Sequence, residues 1–557
     1  MRKRLRFVVG VATAMAMLVG CTGNSGQQQK GADDKPVKTI QEWLEEAPKK
    51  LEEKKAEADE ERSALSTDFT VDYEGIKTEA FRAGCSVHDP SILEVDGTYY
   101  IYGSHMTAAK STDLRTWQMI GNGYSKENPV YGKLCNTEGK DSFAYTGHNE
   151  SFIPTDSGGG MRLWAPDVVY NEKAGKYFMY YCTTSSFNAS TLCVATADKP
   201  EGPFEWKANL IYSGLTGATI KETNVLDYVT EEFAYENYVK DKFDDLPGNY
   251  NYTEWPNALD PTIFYDKDGK FWMVYGSWSG GIFLLELDPE TGEAIHPEAD
   301  PENNVDAYFG KKLLGGGHVS MEAPYILYDS NSDYYYLYVA YGGLSRTGGY
   351  QVRVYRSKNV DGPYVDNNDK ELQKGNPAYY GLKLSGNYML PGLTNAYMAT
   401  GHNSAFVDKD GRSYIVNHAR FDRRGEYHEP RVHQYIVNQE GWPCMLPYAT
   451  DGEKVSESGY SKEQIVGEYY VTNQGTKIDA KIAEPVKLVF TEKGNVLGEK
   501  VTGYYEVEDG KYFVHIYYEE KLYSGVFCEM NDESGTKCMT FSAVGSNESL
   551  WGVKYYD

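Results

Sequence analysis

Beyond its first twenty residues the chain has no apolar run approaching the roughly 20 residues of a membrane span, so nothing after that point reads as membrane-embedded. Basic charge is also scarce: 55 Lys and Arg stand against 81 Asp and Glu, a net charge of -26. A surface so acidic repels phosphate backbones, which argues against nucleic acid as a partner. Cysteine is rare, eight in 557 residues, and no Cys or His spacing resembles a zinc site or a catalytic thiol. Few long segments carry a 3.6-residue apolar period, so the composition points away from helical folds. Gly315-Gly316-Gly317-His318 is glycine-rich, but no Lys-Ser/Thr follows and its surroundings are acidic. A nucleotide loop is therefore rejected, and the segment is expected to shape a cleft.

The length is too great for one ordinary core and predicts at least two domains. Aromatics reach 14%, with 49 Tyr. Tyrosine has high strand propensity, and it also suits sugars, stacking on a ring while its hydroxyl hydrogen-bonds; both readings stand.

The start, MRKRLRFVVGVATAMAMLVGC, has a basic head, an apolar run from Phe7 to Val19 and then Leu18-Val19-Gly20-Cys21. This is the pattern of a secretory signal peptide over residues 1–20, and its end resembles a bacterial lipobox, with Cys21 as the lipidated first mature residue. The expected location is the outer surface of a bacterial membrane, reached through the lipid anchor only. Removing residues 1–20 takes four basic residues and no acid, leaving a charge of about -30. Residues 21–66 read as a tether, polar at first and then dense in Glu, Lys and Ala from Lys38 to Arg62, favouring a solvated helix over a packed one. Seven cysteines then remain, so at least one thiol is unpaired. Cys182 with Cys193, and Cys528 with Cys538, flank hairpin turns and read either as disulfides or as buried thiols.

An internal repeat decides the fold. Five segments share one plan: a polar residue, an apolar strand, a turn, then a Tyr-rich strand. They begin at Asp89, Asp167, Asp260, Glu322 and His402, spaced by 78, 93, 62 and 80 residues. Asp-Gly and similar turns place a hairpin in each copy. Five four-stranded sheets over residues 67–455 predict a five-bladed β-propeller in an all-β chain. Innermost strands line the central channel, so the starting residues of all five copies can converge at one mouth. From Gly459 short alternating strands predict a separate antiparallel β-barrel or sandwich over 459–557, without a catalytic constellation.

The segments His88-Asp89-Pro90-Ser91, Trp164-Ala165-Pro166-Asp167, Leu259-Asp260-Pro261-Thr262, Gly276-Ser277-Trp278-Ser279-Gly280-Gly281, Ser320-Met321-Glu322-Ala323-Pro324-Tyr325 and Gly401-His402-Asn403-Ser404 resemble glycoside hydrolase family 43, and within it the two-domain endo-α-1,5-L-arabinanases. The resemblance implies inverting hydrolysis of α-1,5-arabinofuranosyl chains, with arabinan as the partner and a monomer as the working unit. It implies Asp89 as general base, Glu322 as general acid, Asp260 as the carboxylate that orients the acid and raises its pKa, and His402 beside one bound ion, usually calcium. Ala323 departs from the glycine common in the family; its methyl is expected to be tolerated, with narrowing of that subsite as the alternative.

Inversion needs a water between base and acid, so the two carboxyls are expected roughly 6.5 to 9.5 Å apart. The acid must keep a proton near neutral pH, which a nearby like charge favours. Asp89 must be ionised, with His88 and Arg431 as its expected donors. Asp167 reads either as a substrate hydrogen-bond partner or as turn structure. Trp164, Trp255 and Trp278 read as furanose platforms or as packing between blades. Two rival functions remain. One is an exo-acting arabinofuranosidase or xylosidase with the same trio, set by the insertions 121–160 and 222–254; the other is a non-catalytic polysaccharide-binding lipoprotein.

Overall fold

The computed structural model describes residues 40–556 apart from 66, 136–141, 147–161, 186–187, 241–248, 373–376 and 509. The expected signal peptide, Cys21, the first part of the tether and much of the 121–160 insertion lie outside the described residues.

Five antiparallel sheets follow one another over residues 91–121, 163–212, 262–314, 321–385 and 397–445. The first strand of each is Ser91–Val95, Leu163–Asn171, Thr262–Tyr265, Met321–Asp329 and Tyr397–Val407. Each of these touches the next, and the fifth returns to the first, which closes a five-bladed propeller. Four sheets have four strands; the third has six. Local sequence explains the hairpins: Asp96 and Gly97 take φ of 50° and 76° between Ser91–Val95 and Thr98–Gly103, the two left-handed positions that a tight hairpin turn requires.

Tyr-rich strands are buried on both faces, because each blade packs against two others. Along Lys176–Thr184, Met179 and Tyr181 join the core shared with the first blade, whereas Phe178, Tyr180 and Cys182 join the core shared with the third. The same alternation separates Cys182 from Cys193, which is opposite Tyr181 and points to the other face. The disulfide reading fails: Cys85, Cys182, Cys193, Cys444, Cys528 and Cys538 are all buried free thiols. Ring closure is apolar too, with Ile92 and Ile101 packed on Val416 and Val432.

Residues 467–555 form a closed eight-stranded barrel. Tyr469, Phe490, Tyr505, Phe527 and Phe541 fill its interior. Its outer face is fused to the propeller through Val526, Val544 and Trp551, packed on Tyr388, Leu390 and Trp442.

The expected solvated tether helix is instead docked. The helix Ile40–Ala64 lays Trp43, Ala47 and Leu51 on Tyr504, Tyr517 and Leu522 of the barrel, and Ala58 on Val489 and Leu497. Positions 43, 47 and 51 are four apart and share one stripe, and the small alanines let the helix come close. Arg62 donates to the carbonyls of Gly498 (3.1 Å) and Val501 (3.0 Å). A composition dominated by Glu and Lys concealed a narrow apolar stripe.

Candidate active site

All five first strands carry the same kink, just before the strand in the first and third copies and inside it in the others. Asp89, Ala165, Asp260, Ala323 and His402 have φ of 53°, 41°, 55°, 55° and 48°, the left-handed region that costs a non-glycine residue roughly 1–2 kcal/mol. Each is followed by Pro, or by Asn403 in the fifth copy. The β-ladder skips these residues between Trp164 and Asp167, Glu322 and Tyr325, and Gly401 and Ser404. Such a bulge bends the strand and re-aims its side chains.

The kink corrects the register read from polar residues alone. Asp89, Asp260 and His402 occupy the kink itself. Glu322 and Trp164 precede it by one residue, while Asp167 follows it by two and aligns with Ser91, Thr262 and Ser404. That second set ties blades together. Ser91 Oγ donates to Asp167 Oδ1, the Ile263 N–H donates to Asp167 Oδ2 (2.7 Å), Thr262 donates to the Pro324 carbonyl (2.8 Å), and Ser404 to the Pro90 carbonyl (2.8 Å). Asp167 is therefore a buried inter-blade clasp, with burial raising its pKa to about 6 against the pull of those donors.

Asp89 is ringed by donors. Ser104 Oγ donates to Oδ2 (2.5 Å), His88 Nδ1 lies 2.8 Å from Oδ2 and His402 Nδ1 3.0 Å from Oδ1. Burial alone would raise its pKa; the charges of His402 and His88 and their hydrogen bonds win and hold it well below the usual carboxylate range. Arg431, expected as a donor, is elsewhere: it pairs with Glu429 (3.0 Å) and donates to Tyr397 (2.6 Å). Arg420 does the supporting work instead. Its guanidinium, a donor only, reaches Nε2 of His88 (3.3 Å) and of His418 (3.1 Å), which leaves the His88 proton on Nδ1, facing Asp89. Burial keeps His88 and His418 below the ordinary imidazole pKa.

Glu322 is bonded quite differently. Oε1 accepts from Tyr350 (2.8 Å) and Oε2 from Ser277 (3.0 Å). Burial is the largest cause raising its pKa, and the Asp89 charge adds to it, against the hydrogen bond from Tyr350 and the charge of His402. Asp260, expected to be the main cause, is itself pushed up to about 7 by burial, with Glu322 and Asp89 contributing and His402 opposing. Its Oδ2 accepts from the Ala323 N–H (3.1 Å). His402 sits among all three carboxyls: burial lowers its pKa, but Asp89 above all, then Asp260 and Glu322, lift it to about 9.

Ala323 does not narrow a subsite. It is buried against Ala340, Tyr350 and Ala399. Trp255 is packing, with its ring stacked on Phe309 (5.6 Å) and its N–H on the Asn237 carbonyl (2.7 Å). Trp164 and Trp278 stay at the mouth: the Trp164 indole nitrogen is buried without a protein partner, and Trp278 lies 5.7 Å from the exposed ring of His318. The insertion after Glu222 reaches the same loop, placing Tyr252 5.5 Å from His318. Ser104, Tyr350, His418 and Arg420 escaped the sequence reading, since each lies off the repeated first strands; only Ser104, directly after the first copy's second strand, carried a positional signal.

A buried carboxyl held toward its ionised form and a half-buried one held toward its protonated form can act as base and acid on the same bond. Residues 84–227 and 237–443 match the family model for glycosyl hydrolases family 43, and residues 447–552 match its C-terminal lipocalin-like domain. The chain is 39% identical over 488 residues to extracellular endo-alpha-(1->5)-L-arabinanase 2 of Bacillus subtilis, covering 84% of this chain and 93% of that protein. It is 37% identical over 486 residues to the extracellular endo-alpha-(1->5)-L-arabinanase of Thermotoga petrophila, with the same coverage. The crystal structure of the endo-1,5-alpha-L-arabinanase from Thermotoga petrophila RKU-1 superposes with a TM-score of 0.71 at 35% identity, covering 86% of this chain and all of that one. With matching sequence, matching two-domain architecture and a carboxylate trio gathered by the propeller, this chain belongs to glycosyl hydrolases family 43.

Proposed function

We propose that the protein is an endo-α-1,5-L-arabinanase that hydrolyses internal linkages of arabinan with inversion. The observation that carries the reading is the contrast between Asp89, held ionised by His88, His402 and Ser104, and Glu322, half-buried and held toward its protonated form. Asp89 takes a proton from water on one face of the furanose; Glu322 gives its proton to the leaving oxygen on the other.

A divalent cation, calcium in the family's usual form, would be held by Nε2 of His402 in place of that nitrogen's proton, with water completing the shell. Asp89, Asp260 and Glu322 all raise the pKa of His402, so a cation taking the place of its proton would meet the same carboxyls. His88, Asp89 and His418 also gather ligand atoms within 4.8 Å, but Arg420 is bonded to both rings, and a guanidinium disfavours a second cation beside it. When bound, the ion would supply charge that keeps Asp89 ionised.

The cell-surface placement rests on the signal peptide and on Leu18-Val19-Gly20-Cys21, together with relatives named as extracellular enzymes. Incubation with debranched arabinan and sizing of early products tests the activity. Mixed oligomers are expected; arabinose alone from the first minutes would replace the endo reading with exo action, and no turnover would leave a binding protein.

A further inference from the structure

No catalytic group is found on the barrel among the described residues, yet one of its loops packs beside Tyr350. Buried cations of the fourth blade grip that loop through its backbone. Arg353 donates to the Thr476 carbonyl, and Lys383 donates to the carbonyls of Gln474 (2.9 Å) and Lys477 (3.2 Å). Gln351 adds a bond to the Lys477 carbonyl (3.1 Å). The loop also presses on Gly349, where φ is +74° and an added Cβ would lie 2.8 Å from the backbone of Asp479. Gly349 adjoins Tyr350, whose hydroxyl holds Glu322. The barrel loop thus stands one residue from the tyrosine that touches the acid.

Between this loop and the propeller lies a cavity of about 740 Å³, lined by Val319 and Ser320, which lead into Met321-Glu322, by Thr476 to Asp479 and by Tyr379. That volume is within the ~300–1,000 Å³ of ordinary ligand sites. Tyr379 is 73% exposed, whereas the next most exposed large apolar side chain among the described residues reaches 47%. An exposed tyrosine lining a cavity that borders the strand of the acid offers a ring for stacking. The loop's Lys477 and Asp479 side chains are exposed at the rim and offer a donor and an acceptor to sugar hydroxyls.

We propose that Tyr379 and the barrel loop 476–479 form an extension of the cleft, binding arabinofuranosyl units beyond those at the reacting bond. This rests on the arabinan reading for its ligand. The barrel is then a working wall of the substrate groove, and its fusion to the fourth and fifth blades fixes that wall in place.

Chain-length dependence tests it. In a Glu322→Gln background, which removes the proton donor, arabinohexaose and arabinotriose are titrated calorimetrically with and without Tyr379→Ala. The ratio of the two affinities is expected to fall about tenfold, roughly the worth of one stacked ring, with Tyr379→Phe keeping the original ratio. Unchanged hexaose affinity, or equal loss for both oligosaccharides, overturns the proposal. Because Tyr379 is so exposed, an unchanged melting temperature is expected and separates lost contact from misfolding. Turnover of arabinan by the unaltered protein decides the enzymatic reading separately: chain-length-dependent binding without turnover would sink that reading and leave the groove.

Discussion

The backbone N–H of Ala323 donates to Oδ2 of Asp260 at 3.1 Å, so the third carboxylate grips the chain one residue beyond the acid and leaves the acid's own carboxyl to Tyr350 and Ser277. Asp260 positions Glu322 through the main chain and adds its charge to a site already crowded with carboxyls.

That arrangement makes Asp260 costly at high pH. Its folded pKa of about 7 lies above the unfolded value of about 3.9, so the folded state binds the extra proton. The cost is absent below pH ~4, grows as pH rises and is complete above about 7. Asp260→Asn keeps an acceptor for the Ala323 N–H and removes the charge. Thermal unfolding should show it more stable than the parent at pH 8, on the order of 1–3 kcal/mol, and level with it near pH 4, while arabinan hydrolysis falls steeply. Equal gains at both pH values would contradict the assignment.

Glu322→Gln removes the proton donor while the amide oxygen can still accept from Tyr350 and the amide NH2 can donate to the Ser277 oxygen, reversing that bond. Hydrolysis of arabinan is expected to drop by about 10²–10⁴. The loss should be much smaller on an aryl arabinofuranoside whose leaving group departs without a proton, measured as release of the phenolate. A uniform loss on both substrates would point to a structural role.

Tyr350 favours the ionised form of Glu322 by donating to Oε1. Tyr350→Phe removes that donor, so the acid's pKa should rise further and the basic limb of the kcat/KM profile should move to higher pH, by on the order of half to one unit. A limb that stays put, or moves down, would mean that another group governs it.

Docking of the N-terminal helix predicts a stability effect remote from catalysis. Ala47 is fully buried against the barrel, and Ala47→Glu would place an unpaired charge there. A loss of about 2–3 kcal/mol is expected, seen as a lower melting temperature and faster proteolysis after Leu51, with kcat on arabinan unchanged. Unaltered proteolysis would show that the helix does not depend on this contact.

The five repeats were legible because hairpin turns and Tyr-rich strands recur in linear order, and Asp89, Asp260, Glu322 and His402 stood out on them. Their exact alignment was not legible. Counting from polar residues put Asp167 and Glu322 at equivalent starts, whereas the left-handed kink places them three residues apart in the repeat. A backbone angle leaves little trace in composition, so a buried clasp and a catalytic acid looked alike. Arg431 was misread for a related reason: proximity across blades depends on which face of a strand a side chain takes.

What the sequence determined by itself was the inventory: an acidic, tyrosine-rich, five-times-repeated β chain with one carboxylate trio and a second β domain, because turns and strand periodicity are local properties. Tertiary structure alone decided which carboxyl is pushed toward its ionised form and which toward its protonated form, which arginine supports the base, and where the barrel packs on the propeller. Those are matters of burial and of partners hundreds of residues away, and both exist only after the ring has closed.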